Sequence, residues 1–513
     1  MILTVTSVTM RLLTVVFNVY ITEKIGAAGV GLFSLIMSVY TFAVTFASSG
    51  RYLTATRLVS QQIVRNSGSG VKRAMRGCIV YALCFGFAAM ILLFAFSKEI
   101  ASSWLGDIRT LKSLRILSFS LPPLAVSAAL SGYFSAVRRV VKNAVTNILE
   151  QFIRIFLTAV LLVCVSGGGI EAATVAIVTG TLISEFLAFA VSFTLYLFDI
   201  RKVKNMTAPA APGISGRLIR MAVPIAVSSY IRSALVTVEH LLIPKGLMKN
   251  GSTSEEALSS YGVISGMVFP VIFFPMAFLT AFTGLLVPEI TRYKETESKK
   301  SIEYVTSRIM KITVIFSVAA AGLFAYYSRS LGLLLYDSAE AGKYIRIFAV
   351  LIPVMYIDNT TDAILKGLGE QVASMRYNII DAFVSVVLVF FLLPPFGIKG
   401  YVVVIYLCEI LNAALSMRKL FSCVKVKGFF VRTIMMPVLC MTGAASITKL
   451  LFDRVLTLYR MRVTALFVGV VICLVLYYSF LRLFSCISKE EEKWFLAIFK
   501  RKRNKETAKP SKN

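Results

Sequence analysis

Long apolar runs separated by short charged loops recur along the whole chain. Each run is about 20 residues long, enough for a helix to cross the roughly 30 Å hydrocarbon layer of a membrane. The apolar residues are continuous and do not alternate, which excludes the strand pattern of a β-barrel. The pattern predicts an all-α polytopic membrane protein with about 14 transmembrane helices, at residues 2–22, 28–48, 76–97, 115–135, 146–166, 170–198, 218–243, 259–289, 304–327, 344–368, 377–395, 398–420, 430–452 and 461–484.

Composition supports the membrane assignment, and charge orients the chain. Hydrophobic residues make up 57% and charged residues 16%, against about 45–50% and about 25% in soluble domains. The net charge of +29 does not indicate nucleic-acid binding, because the basic residues lie in short loops and in the tail. Of the 55 Lys and Arg residues, 36 fall on the side of the N-terminus, 14 on the other and five within spans. This positive-inside bias and the even helix count predict that both termini are cytoplasmic.

The sequence lacks the signatures of an enzyme. It contains no G-x-x-x-x-G-K-[ST], no H-E-x-x-H and no nucleophile elbow. One histidine and eight cysteines without a C-x-x-C give no recognisable metal site, and apolar packing is the expected role of the cysteines. We therefore expect no catalytic residues, no metal and no cofactor, with coupling to a monovalent cation, a proton or the membrane potential left open.

An internal repeat divides most of the chain in two. Aligning LSGYFSAV at 130–137 with LKGLGEQV at 365–372 superposes Gly132 on Gly367 and Asn143 on Asn378, at an offset of 235 residues. Gly29-Val30 falls on Gly262-Val263 at an offset of 233. Six helices per repeat is an even number, so both halves run the same way through the membrane. This predicts two lobes in a parallel pseudo-two-fold repeat around a central cavity.

The repeat defines the expected domains. The N-terminal lobe with helices 1–6 covers residues 1–200, and the C-terminal lobe with helices 7–12 covers 201–425. Helices 13–14 are appended at 426–485, and a basic cytoplasmic tail follows at 486–513. The tail contains an amphipathic patch around Trp494 and Phe499. It either lies on the anionic inner leaflet or is an ordinary positive-inside tail.

Charged residues inside the spans are the candidate functional residues. Arg11 and Asn18 in the first helix, and Arg232 and Glu239 in the seventh, are each separated by seven residues. That spacing is two helical turns and places each pair on one helix face. A mid-membrane arginine costs at least about 2.5–3.5 kcal/mol, so the two arginines either line a polar cavity or belong to structural ion pairs. Glu239 is either a proton or cation site or a structural partner.

Other intramembrane polar residues have simpler explanations. Glu150 and Arg154 are four residues apart, and an intrahelical ion pair suffices for them. Asp358 and Asp362 share a face at the same spacing, where like charges repel. One of them is either protonated or holds a cation, or both line a solvated cavity wall. His240, beside Glu239, is expected to be a satisfied interfacial histidine.

Several segments together resemble a known transporter family. They are the glycines Gly26, Gly29 and Gly31 before LFSLIMSVYTF, and the segments ASSGRYLTATRLVSQQ (47–62), LSGYFSAV (130–137), NILEQFIR (147–154), EHLLIPKGL (239–247) and ILKGLGEQ (364–371). Their order over the whole chain resembles the stage V sporulation protein B branch of polysaccharide transporters. That branch belongs with the MurJ-type lipid flippases in the multidrug/oligosaccharidyl-lipid/polysaccharide exporter superfamily.

The resemblance implies a V-shaped two-lobed fold in the bacterial plasma membrane. It implies transfer of undecaprenyl-pyrophosphate-linked sugars to the outer leaflet, with cavity arginines on the diphosphate and helices 13–14 around the lipid tail. Arg11 matches the first-helix arginine of the MurJ pattern. Phe17 and Asn18 stand where that pattern has a basic and an acidic residue, a departure that Arg232 is placed to offset.

The sequence favours the function of an alternating-access flippase for a lipid-linked oligosaccharide. Its expected partners are that substrate and membrane lipids, with no nucleic acid and a monomeric state. One alternative is a cation-coupled drug or metabolite exporter of the same superfamily. The other is a non-transporting scaffold for cell-wall or spore-cortex synthesis.

Overall fold

The computed structural model of the chain describes residues 2–165, 168–202, 214–425, 431–456, 462–487 and 490. Within these ranges every regular element is a helix. Three segments are π-helical: Ile100–Leu105, Val263–Val268 and Val431–Met435. The α-helices are α1 Ile2–Ser48, α2 Arg51–Val64, α3 Gly68–Ala95, α4 Ser97–Glu99, α5 Thr110–Ser118, α6 Leu121–Ala136, α7 Val140–Cys164, α8 Gly169–Lys202, α9 Ile214–Lys249, α10 Ser254–Gly262, α11 Phe269–Phe273, α12 Met276–Glu295, α13 Lys299–Tyr336, α14 Ala339–Ala349, α15 Ile352–Gly367, α16 Gln371–Cys423, α17 Met436–Leu456 and α18 Arg462–Leu483.

The two longest helices, α1 and α16, each turn back at a glycine. They contain 47 and 53 residues, which would give rods of about 70 and 80 Å, far longer than one membrane crossing. Gly26 at φ 68° and Gly397 at φ 55° interrupt them with backbone conformations that other residues rarely adopt. Each is therefore two helices joined at a glycine.

The helices suit a membrane in length and apolarity. Among the described residues, nine are long and apolar enough to cross a bilayer, or eleven if two bent pairs each count as one span. These counts take α1 and α16 as single helices. The all-helical membrane architecture is confirmed, while the number fourteen stays a prediction.

Helices of the same half make the most extensive contacts, while one buried apolar core includes residues of both halves. In the N-terminal half, α3 packs on α6 and α7 on α8, and the first part of α1 lies against α7 and α8 through Phe17 and Ile21. In the C-terminal half, α9 packs on α16 and α13 on α14. The halves meet where α1 contacts α9, α10 and α12.

Equivalent helices of the two halves share bends and contacts. The bend between α5 and α6 is 46°, and the bend between α14 and α15 is 59°. In both pairs the bend comes just before proline in the first turn of the second helix. Proline has this effect because it disfavours a helical conformation in the residue before it. Thr56 donates to the carbonyl of Gly132 at 3.1 Å, and Thr291 donates to that of Gly367 at 3.0 Å. The two contacts are related by the 235-residue offset, which confirms that part of the predicted repeat.

The two halves touch through a reciprocal glycine contact. A Cβ atom added at Gly31 would overlap the carbonyl oxygen of Leu258, and one added at Gly262 would overlap that of Ala27. Gly31 and Ala27 are therefore the counterparts of Gly262 and Leu258. The sequence alignment paired Gly262 with Gly29, which instead faces Ile25 of its own helix. That pairing was two residues out of register, because the linkers between equivalent helices differ in length.

Helices α17 and α18 lie outside the repeat and pack on α13. Their buried residues include Cys440, Cys473 and Tyr477, whose hydroxyl donates to the carbonyl of Ile315 at 3.0 Å. Several large apolar side chains, among them Leu450 and Phe467, are exposed, as expected for helices that face lipid. Most of the predicted tail at 486–513 lies outside the described residues.

We expect Gly31→Ala to lower the free energy of unfolding by about 1–3 kcal/mol, because a methyl group has no room between α1 and α10. Thermal unfolding of the purified protein in detergent measures the effect. The matched control is Gly284→Ala, a helical position with open space around it, where alanine should leave stability unchanged or raise it. Equal stability of the two variants would contradict the close contact.

Candidate functional site

A cavity of about 320 Å³ lies between the first part of α1 and the broken helix formed by the π-segment Val263–Val268 and α11. Arg11 and Asn18 both line it, as their seven-residue spacing predicted. Arg11 is also within electrostatic range of Tyr356 on α15. Among the described residues no carboxylate forms an ion pair with Arg11. The full lining is Arg11, Thr14, Val15, Asn18, Ser265, Phe269, Pro270 and Phe273.

The cavity combines one cation with small polar groups and an aromatic wall. Thr14 donates to the carbonyl of Met10 at 2.8 Å, so its hydroxyl oxygen is still able to accept. Ser265 donates in the same way to Tyr261 at 2.8 Å. The guanidinium of Arg11 keeps its donors for a ligand, and the hydroxyls and the amide of Asn18 supply further polar contacts. Such a site suits an anion with several oxygen acceptors.

Arg232 and Glu239 occupy a different place from Arg11. Both lie on α9 within electrostatic range of Asp381 on α16, and Arg232 also interacts with Asp358 on α15. Glu239 accepts a hydrogen bond from Ser385. Neither residue lines the Arg11 cavity. The spacing did place Arg232 and Glu239 on one face of α9, but that face meets the carboxylates of the C-terminal half.

We call these carboxylates the acidic cluster; its members are Glu239, Asp358, Asp362, Asp381 and Glu409. Asn412 donates to Asp358 at 2.9 Å, and Asp362 accepts from Ser374 at 2.7 Å and from Asn378 at 3.2 Å. One buried oxygen each of Asp358, Asp381 and Asn412 has no hydrogen-bond donor. Among the described residues, the cluster therefore has acceptor oxygens without donors, and two cations interact with it: Arg232, and Lys366 at 4.0 Å from Asp362.

The N-terminal half holds a smaller network, in which two carboxylates share one arginine. Glu185 on α8 is 8% exposed and accepts from the Tyr40 hydroxyl at 2.9 and 3.0 Å. Tyr40 also contacts the Ser120 hydroxyl at 2.5 Å. Arg154 lies 3.9 Å from Glu185 and forms an ion pair with Glu150. The predicted Glu150–Arg154 pair is confirmed, and it extends to a third helix through Glu185.

Sequence reasoning missed three of these carboxylates, and one criterion would have found them. Asp381, Glu409 and Glu185 all lie within predicted spans, where any ionisable group is a candidate for function. His240 behaves as predicted, because its Nδ1 is hydrogen-bonded to the Tyr261 hydroxyl at 2.9 Å. In the described part of the chain, no three His, Cys, Asp or Glu side chains converge as a metal site requires.

A cavity with an arginine in its lining lies between two helical halves that carry charged networks, and the chain that forms them is similar to known proteins. Family models for polysaccharide biosynthesis proteins and for MatE match residues 1–252 and 247–391. The chain is 25% identical over 431 residues to stage V sporulation protein B of Bacillus subtilis, covering 82% of this chain and 83% of that protein. The similarity to stage V sporulation protein B and the match to the polysaccharide biosynthesis model agree with the resemblance predicted from the sequence.

Solved structures confirm the fold. The lipid II flippase MurJ in an inward closed conformation aligns with a TM-score of 0.66 at 15% identity, covering 94% of this chain and 99% of that one. An inward-facing multidrug MATE transporter aligns with a TM-score of 0.66 at 13% identity, over 83% and 99%. The chain thus has the fold that these two membrane proteins share.

We expect Tyr40→Phe to lower the free energy of unfolding by about 1–3 kcal/mol, because it leaves the buried Glu185 without its hydroxyl donor. Thermal unfolding in detergent measures this. The control is Tyr52→Phe, which removes an exposed hydrogen bond to Ser135 and should change stability by less than about 0.5 kcal/mol. Equal effects of the two variants would show that Tyr40 is not needed to satisfy Glu185.

Proposed function

We propose that the protein is a flippase that moves a lipid-linked oligosaccharide, carried on a prenyl pyrophosphate, from the cytoplasmic to the outer leaflet. The observation that carries this proposal is that Arg11 lines a cavity between the two halves and forms no ion pair with any carboxylate that the structure describes. A pyrophosphate presents several charged oxygens, and the planar guanidinium fork matches them two at a time. The protein then works by alternating access and is not an enzyme.

The surroundings of Arg11 suit a cargo that is part polar and part lipid. Hydroxyl and amide groups next to the arginine are available to sugar hydroxyls, and Phe269 and Phe273 present ring faces on the opposite wall. The prenyl chain cannot share this polar space and needs an apolar path. The exposed apolar faces of α17 and α18 are the candidate groove for it, as the resemblance implies.

We expect Arg11→Ala to reduce transport at least tenfold while the protein still reaches the membrane, and Arg11→Lys to be intermediate because an ammonium lacks the planar fork. The measurement is flipping of a fluorescent polyprenyl pyrophosphate in proteoliposomes, together with growth of a flippase-depleted strain. Arg292→Ala, an exposed cation near the end of α12, is the matched control. Wild-type transport by Arg11→Ala would refute the role of the arginine.

The acidic cluster favours cation coupling as the energy source. Its donor-free oxygens are suited to a proton or a monovalent cation, and Arg232 at its edge links the charge state of the cluster to α9, which contacts α1. The same feature favours the second candidate function, a cation-coupled exporter of drugs or metabolites. Arg11 distinguishes the two candidates, because an exporter of cationic compounds has no use for an arginine that lines its cavity.

We expect Asp358→Asn and Asp381→Asn to abolish the response of transport to an imposed proton or sodium gradient, since each removes a charge that the coupling ion neutralises. Glu239→Gln tests the third carboxylate near Arg232 in the same way. Proteoliposomes with a proton gradient, a sodium gradient or neither provide the measurement. Glu295→Gln, at an exposed position on α12, should behave as wild type. Undiminished gradient dependence in the cluster variants would exclude the cluster as the coupling site.

A further inference from the structure

Arg51, the first residue of α2, is a buried cation that forms no side-chain hydrogen bond with any residue the structure describes. Its side chain is 2% exposed, and all three guanidinium nitrogens are buried and unpartnered. It directly follows Gly50, whose positive φ of 77° interrupts the helical backbone between α1 and α2. A guanidinium carries five N–H donors. Leaving all of them without a hydrogen-bond acceptor in an apolar interior costs free energy of folding.

Aromatic rings take the place of an anion around Arg51. The guanidinium carbon lies 5.1 Å from the centre of the Tyr81 ring and 5.4 Å from that of Phe85, both on α3. Phe46 of α1 packs on Phe85 at 5.8 Å and on Tyr230 of α9 at 5.2 Å. We call Phe46, Tyr81, Phe85 and Tyr230 the aromatic box. Ring faces attract a cation, but they satisfy none of its N–H donors.

The box lies in the interior of the helix bundle. Tyr81 is at the middle of the 28-residue helix α3, and the Arg51 side chain is 2% exposed. The head group of the arginine therefore does not reach solvent in this conformation. The neighbouring space is apolar as well, because Phe46 also lines a crevice of about 450 Å³ formed by residues such as Phe42, Leu92 and Phe96.

One wall of the box belongs to the other half of the protein. Tyr230 donates to the carbonyl of Phe46, Ser233 to the hydroxyl of Thr45 and Thr237 to the carbonyl of Ser38, each at 3.2 Å. We call these three contacts the α1–α9 seam. The donors follow one face of α9 at spacings of three and four residues. All three are neutral and at the long end of hydrogen-bond distances, so the seam is a contact that the halves are able to break.

We propose that Arg51 is a second anion-binding residue, hidden in the conformation described here and exposed when the α1–α9 seam opens. Its ligand is the pyrophosphate of the cargo, so the inference rests on the proposed function. Separation of α9 removes Tyr230 from the box and opens a path to the guanidinium. Arg11 and Arg51 then bind the same anion in different conformations of the protein. The N–H groups of Arg51 form hydrogen bonds only while the cargo is bound.

The decisive variants are Arg51→Met and Arg51→Lys. Methionine removes the unpaired charge at similar volume, so the unfolding midpoint should stay the same or rise, while flipping of a fluorescent polyprenyl pyrophosphate falls at least tenfold. Arg51→Lys keeps the charge without the fork and should give an intermediate rate. Arg57→Met, an exposed cation on the same helix, is the control and should transport normally. Transport by Arg51→Met within twofold of wild type would overturn the proposal.

A cross-link tests whether the seam must open. The hydroxyls of Thr45 and Ser233 lie 3.2 Å apart, so Thr45→Cys and Ser233→Cys, in a background without the eight native cysteines, should form a disulfide. Oxidation should stop flipping, and a reductant should restore it. Undiminished flipping by the oxidised protein would overturn the role of the seam. This arm does not depend on whether Arg51→Met folds.

Binding of farnesyl pyrophosphate, followed by the shift in unfolding midpoint, separates the two levels of inference. We expect wild type to bind it, Arg51→Met to bind at least tenfold more weakly, and phosphatidylglycerol to bind without dependence on Arg51. If wild type binds but Arg51→Met binds equally well, this inference is wrong and the proposed function stands. If wild type does not bind at all, the proposed function fails. Equal dependence of phosphatidylglycerol on Arg51 would assign the site to a membrane lipid and overturn the proposal.

Discussion

The cost of placing charge in hydrocarbon shapes this structure more than any other term. An ionised side chain in the middle of a membrane needs an opposite charge, a polar cavity or some other compensation. The chain uses all three. Arg154 forms an ion pair with Glu150, Arg11 lines a polar cavity, and Arg51 lies among aromatic rings. These three arrangements differ in how far they are able to rearrange. An ion pair holds its two side chains in place, whereas a cavity is able to take up a ligand and an aromatic box is able to open.

The two halves share a fold but not a charge balance. In the N-terminal half, Glu185 has Arg154 and the Tyr40 hydroxyl close by, so the network is complete in itself. In the C-terminal half, several carboxylates interact with one arginine, and some of their oxygens have no donor. A complete network stabilises one arrangement, and an incomplete one responds to an added cation. The C-terminal half is therefore the one whose electrostatics an ion is able to change.

The sequence predicted the architecture well, because hydrophobic length is a local property. It also predicted the shared faces of Arg11 with Asn18 and of Arg232 with Glu239, since helix periodicity fixes them. It did not predict that these faces point to different places. That depends on how the helices are rotated and which neighbours they meet, and both are set by packing over the whole chain. Arg51 escaped notice for a related reason. It lies in a segment assigned to a loop between spans, whereas in the structure it begins helix α2 and is buried against α3.

The contact between Gly31 and Gly262 also bears on the ancestry of the chain. Gly31 faces the carbonyl of Leu258, and Gly262 faces the carbonyl of Ala27. Each carbonyl belongs to the residue four positions before the other glycine, so the contact is the same for both halves. This is the geometry of an isologous interface, in which one surface patch meets its own copy across a two-fold axis. In a half-length ancestor, a single glycine would have served both sides of a homodimer. Gene duplication and fusion would then turn that symmetric joint into an intramolecular one. Afterwards the charges of each half were free to diverge, while the joint itself kept its symmetry.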